Sequence, residues 1–103
     1  MEAKDAEDAK DVFDEIVAHI ERNGGKYSDW YAGITSDWVN RLFKEHKVPR
    51  EGHAYITRQC YDDQYARAVE GCFVKLGCQG GGDDGDEKCV YVYAYKMGSM
   101  TEP

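Results

Sequence analysis

Apolar residues recur at three- and four-residue steps through the start of the chain. Ala6, Ala9, Val12, Phe13, Ile16, Val17 and Ile20 share one side of a helical wheel. Acidic residues crowd the N-terminal half of this stretch, which complements the helix dipole. Asn23-Gly24-Gly25 supplies the stop, since Asn and Gly take the left-handed backbone that ends helices. The pattern predicts a packing helix with a charged face in water.

The periodicity then changes. Trp30-Tyr31-Ala32-Gly33-Ile34-Thr35 is aromatic and β-branched, the composition of a short strand. Gly33 within it predicts the close approach of another backbone or a ligand. Thr35 or Ser36 is placed to cap a second helix from about Asp37 to His46, with Asp37 in its first turn. There Val39, Leu42, Phe43 and His46 share a face, and Trp38, Arg41 and Glu45 lie on a neighbouring one. Val48-Pro49-Arg50-Glu51-Gly52 breaks the helix into a loop.

His53 to Cys60 reads as a second strand. Asp62 or Asp63 caps a third helix that ends at Gly77, with Ala66, Val69, Phe73 and Leu76 as its apolar stripe. Glu70 borders that stripe. Gly80 to Asp86 is a Gly/Asp-rich loop, and Cys89 to Lys96 is a third strand rich in Val and Tyr. Residues 1–4 and 97–103 read as loose tails. The order α-β-α-β-α-β predicts one α+β domain over residues 1–103. It would be a three-stranded, mostly antiparallel sheet packed with three helices.

Composition adds few constraints. A chain of 103 residues with 42% hydrophobic content supports one modest core. No segment reaches the roughly 18–20 apolar residues of a membrane span, and the acidic N-terminal helix is unlike a secretory signal. A soluble, cytoplasmic protein without a membrane partner is expected. Cys60, Cys72, Cys78 and Cys89 are 12, 6 and 11 residues apart, without the close pairs of a zinc site. They read as reduced thiols, some serving as small core hydrophobes. Asp83, Asp84, Asp86 and Glu87 lack EF-hand spacing and read as a solvated loop.

The net charge of −7 argues against a large non-specific nucleic-acid surface. Its distribution is uneven. Residues 1–23 hold eight acids and three bases, residues 24–82 seven and eight, and residues 83–103 five and two. The middle of the chain is therefore the part able to face a phosphate.

That middle also carries a pattern. Tyr31-Ala32-Gly33-Ile34-Thr35 is followed by Arg41-Leu42 and then His46, and later by the helical Ala66-Arg67-Ala68-Val69-Glu70. The arrangement resembles the second half of the GIY-YIG nuclease signature and the helix that carries the family's metal-binding Glu. The resemblance covers residues 30–76. The family's first tripeptide, Gly-Ile-Tyr, is missing, although it should stand on a partner strand about ten residues before Tyr31. Its late Asn is missing too. The run Val90-Tyr91-Val92-Tyr93-Ala94-Tyr95 has the composition of the absent strand. Paired beside Tyr31–Ile34, it would turn Tyr91, Tyr93 and Tyr95 to one face and Val90, Val92 and Ala94 toward the helices.

The resemblance implies a phosphodiester-cleaving site. Arg41 would clamp the phosphate, and Glu70 would hold Mg²⁺ or Mn²⁺ through oxygen. Tyr31, His46 and Tyr93 would orient or deprotonate water. That chemistry requires Arg41, Glu70 and a tyrosine hydroxyl to face one cleft. Each residue also has a structural reading: Arg41 can pair with Glu45, Glu70 with Arg67, His46 suits a helix C-terminus, and Tyr31 can simply pack. The competing expectation is a catalytically idle relative that binds a protein or small ligand. Trp30, Trp38 and Tyr93 would be exposed at its interface. A third is an acidic inhibitor that mimics nucleic acid, supported by the acidic ends alone.

Overall fold

The computed structural model describes residues 6–80 and 87–103. Asp83, Asp84 and Asp86, and the expected tail 1–4, lie outside the described residues. Among the described residues five strands are present: β1 (Ala6–Glu7), β2 (Trp30–Thr35), β3 (Tyr55–Cys60), β4 (Gln79–Gly80) and β5 (Tyr91–Lys96). The described residues also form two α-helices, α1 (Ala9–Asn23) and α2 (Asp63–Leu76), a π-helical segment (Asn40–Glu45) and a 3₁₀ turn at Tyr27–Asp29.

The fold is α+β, as expected, but its sheet is larger and mixed. The strand order is β1-β3-β5-β2-β4. The three expected strands form the antiparallel centre, with β5 between β3 and β2. Two-residue strands then add parallel edges, β1 on β3 and β4 on β2. Neither edge carries enough alternating pattern to announce a strand. Ala6 was expected in the first helix. It falls before it because Asp8 is the N-cap, its carboxylate accepting from the Asp11 N–H at 3.0 Å.

Caps also set α2. Asp62 accepts from the Tyr65 N–H at 2.9 Å, and Gly77 ends the helix at φ 122°. Both α-helices cover one face of the sheet. Val12, Ile16 and Ile20 from α1 and Ala66, Val69 and Phe73 from α2 pack on Ala32, Ile34, Ile56, Val92 and Ala94. Trp30 is fully buried in this core, so it is not the interface residue expected.

The opposite face has its own smaller core, built from Leu42, Val48, Tyr93 and Tyr95 with Tyr31, Trp38, Phe43, Tyr55 and Met97 around it. The expected helix over Asp37–His46 crosses this face, but it is not a regular α-helix. Asp37 is its cap, accepting from the Asn40 N–H at 3.1 Å, while Thr35 Oγ1 accepts from the Asp37 N–H. The Arg41 N–H reaches Asp37 O four residues back. The His46 N–H reaches Arg41 O five back, and the Val48 N–H reaches Leu42 O six back. The widened turn re-phases the side chains. Trp38 pairs with Phe43, five residues on, at 6.2 Å between rings, and Val39 is left 41% exposed although the α-helical wheel placed it inside. Lys47, at φ 59°, ends the segment in the left-handed region.

Residues 97–103 are tied to this face. The Met97 N–H donates to Asp29 O, and the Glu102 N–H donates to His46 O at 2.7 Å. Among the described residues, no helix is long and apolar enough to cross a membrane.

Candidate functional site

Strand pairing brings the tyrosines together. β5 lies antiparallel to β2 with Tyr31 opposite Tyr95 and Gly33 opposite Tyr93. The period-two alternation turns Tyr93 and Tyr95 to one face and Val92 and Ala94 to the other, as the Val/Tyr pattern predicted. The group that approaches Gly33 is a side chain. A Cβ there would meet the Tyr93 hydroxyl at 2.6 Å and its ring carbon Cζ at 2.7 Å. Glycine at 33 is what lets the Tyr93 ring lie across β2.

The π-helical segment supplies the other half. Its widened turn carries Arg41 and, directly after it, His46. The His46 Nε2 lies 2.7 Å from the Tyr93 hydroxyl, and its Nδ1 lies 2.7 Å from Glu102 O. The Tyr95 hydroxyl donates to the same carbonyl at 3.0 Å. Tyr31 stacks over the group, with its ring 4.6 Å from His46 and 5.4 Å from Tyr95. The Arg41 guanidinium hydrogen-bonds the Tyr93 hydroxyl and pairs with Glu45 at 3.0 Å.

These contacts fix the proton positions. Glu102 O only accepts, so His46 Nδ1 carries the hydrogen that it receives. Nε2 is then an acceptor, and the Tyr93 O–H donates to it. Arg41 in turn donates to the Tyr93 oxygen. The result is one continuous chain, Arg41 to Tyr93 to His46 to Glu102, with every donor placed.

Burial reinforces the neutral state. His46 is 5% exposed and Tyr93 0%. Burial pushes the His46 pKa below its ordinary value, and Arg41 adds to the effect, while the Glu102 carbonyl and Glu45 oppose it. Burial also raises the Tyr93 phenol well above the usual range, with Tyr31 adding and Arg41 pulling the other way. Tyr95 is raised by burial and Tyr31. The His46 Nε2 lone pair is occupied by the Tyr93 O–H.

Of the five expected site residues, Tyr31, Arg41, His46 and Tyr93 converge. Glu70 does not join them. It is buried on α2 beside Ala66, Val69 and Phe73, the side that faces the other core. The β-sheet therefore separates it from Arg41. Glu70 and Arg41 thus stand on elements that pack against opposite faces of the sheet. Among the described residues, no three His, Cys, Asp or Glu side chains group to hold a metal ion.

Tyr93 is buried and Trp38 half-buried, so the expected aromatic interface does not form on those residues. The exposed aromatics are instead Tyr61 and Tyr65, edge to face at 5.8 Å at the start of α2. One member of the cluster, Glu102, was not foreseen. Tyr95 shares the face of Tyr93 by simple alternation, as expected. Glu102 contributes only backbone atoms, which leave no side-chain signature. Comparison of the chain with protein-family models, curated protein sequences and solved structures returned no match.

Proposed function

We propose that this chain is a GIY-YIG-like domain without phosphodiesterase activity, serving as a protein-binding module. The observation that carries this reading is the double occupancy of His46. Its two ring nitrogens are engaged by Tyr93 and by the Glu102 carbonyl, inside a buried aromatic cluster. A general base needs a free lone pair within reach of the proton it takes. The position of Glu70 across the sheet from Arg41 supports the same reading. The likeness to the family rests on Tyr31 to His46, and β5 supports it by standing as a tyrosine-bearing partner strand beside Tyr31–Thr35.

In this reading the tyrosine–histidine–arginine cluster is an internal brace that holds the π-helical segment to the sheet. Contact with a partner falls to exposed apolar residues such as Tyr61, Tyr65, Leu76 and Val39, which suit a protein surface better than a phosphate backbone. The test is a cleavage assay on single- and double-stranded DNA and RNA with Mg²⁺ or Mn²⁺, alongside Arg41→Ala and Glu70→Gln. The expected result is no cleavage by any of the three proteins. Cleavage by the unaltered chain that disappears in both variants would overturn the proposal.

A further inference from the structure

The segment after β5 makes an unusual contact. Glu102 meets His46 twice, its N–H donating to the His46 main-chain oxygen and its carbonyl receiving the His46 Nδ1–H, both at 2.7 Å. Tyr95 adds a third bond to the same carbonyl. Both backbone groups of one residue are thus read together, as an added β-strand would be. The Glu102 side chain plays no part and stands exposed. Gly98, Ser99 and Met100 are exposed as well. Their turn is closed locally, with the Gly98 N–H donating to Thr101 Oγ1 and that hydroxyl to Gly98 O. The segment therefore sits on the site through main-chain bonds at a single residue.

We propose that His46 and Tyr95 form a peptide-backbone binding site, and that residues 98–102 occupy it as a displaceable strap in place of an extended segment of a partner protein. This rests on the binding-module reading and names the kind of ligand such a module takes. Three features support it. The site presents one acceptor, His46 O, beside two donors, His46 Nδ1–H and the Tyr95 hydroxyl, which matches the N–H and C=O of one extended residue. Its donors are held in place, because Tyr93 fixes the imidazole and Tyr31 packs against both rings, tilted on His46 and stacked on Tyr95. Its present occupant contributes no buried side chain at Glu102, so any non-proline residue satisfies the same bonds.

The strap competes with an incoming peptide, so loosening it should reveal binding. The probe is an acetylated and amidated synthetic peptide with the sequence of residues 97–103. It is titrated into the full-length ¹⁵N-labelled chain and followed through the His46 ring and Tyr95 amide signals. In the unaltered chain the strap holds the site and the shifts should be small. Glu102→Pro removes the strap's N–H donor, and Thr101→Val breaks its turn. Either variant should bind the peptide about tenfold more tightly than the unaltered chain. A peptide with alanine at its Glu102 position should bind equally, and one with proline there should not. The proposal is overturned when the variants, folded by circular dichroism, keep the unaltered His46 ring and Gly98 amide signals, or when the freed site shows no shift with peptide. Tyr95→Phe gives a second reading on an intact strap. It should speed hydrogen exchange at the Glu102 amide about tenfold, and an unchanged rate contradicts the proposal. Nucleic-acid cleavage would overturn the module reading alone, without altering either strap measurement.

Discussion

The Tyr93 ring fills the space in front of Gly33. The two residues face each other across β2 and β5, and the ring lies where a side chain at 33 would stand. The hydroxyl of that ring is what holds His46. A glycine on one strand therefore sets the position of a histidine that follows a helical segment on the sheet's outer face.

Gly33→Ala tests this dependence. The added methyl collides with a fully buried ring, so the variant should lose about 1–3 kcal/mol of stability. Urea unfolding measures the loss. The His46 ring signals should move as well, because the Tyr93 hydroxyl is displaced.

Tyr93→Phe keeps the ring and removes the hydroxyl. His46 Nε2 then becomes a buried acceptor without its donor, at a cost of about 1–3 kcal/mol. Arg41 loses a partner at the same time. Equilibrium unfolding should show the cost.

Acid should weaken the fold through His46. Its folded pKa is depressed by burial and by Arg41, below an ordinary value of about 6.5. Above about pH 6.5 the stability is complete. Below it the unfolded chain binds a proton that the folded chain refuses, so stability falls until folded His46 itself titrates. His19 acts in the same sense, depressed by burial and by Arg22 and Arg58. Urea midpoints measured between about pH 7.5 and pH 5 should fall, and the decline should be shallower in His46→Gln.

The cysteines should divide three to one. Cys72 is exposed, while Cys60, Cys78 and Cys89 are buried, and none of the four is in a disulfide. Burial pushes Cys78 up to about 11, which suppresses its thiolate. A thiol-reactive dye should modify Cys72 quickly in the native chain, and the other three only after denaturation.

Asp62→Ala should cost about 1 kcal/mol, since it removes the carboxylate that caps α2. Loss of helical signal at a lower urea concentration reports it.

The elements easiest to read were those whose signals are local. Asp62 and Gly77 bracket α2 because capping chemistry sits within a few residues of the helix ends. The face shared by Tyr93 and Tyr95 follows from alternation alone. The π-helical turn was not legible, because Val39, Leu42, Phe43 and His46 fit an α-helical wheel equally well. Only packing of Trp38 and Leu42 against the tyrosines favours the wider turn. The face that Glu70 takes was not legible for a related reason. Its place beside an apolar stripe indicates burial but not which side of the sheet buries it. The two-residue edge strands, and the role of Glu102, depend on backbone hydrogen bonds that carry no residue preference.

The most direct test of the whole account is the imidazole ¹⁵N spectrum of His46 near neutral pH. The structure predicts one neutral tautomer with the proton on Nδ1, both nitrogens hydrogen-bonded, and no change when Mg²⁺ or Mg²⁺ with a short oligonucleotide is added. A proton on Nε2, or a ring that responds to metal and nucleic acid, would contradict the claim that this site is closed.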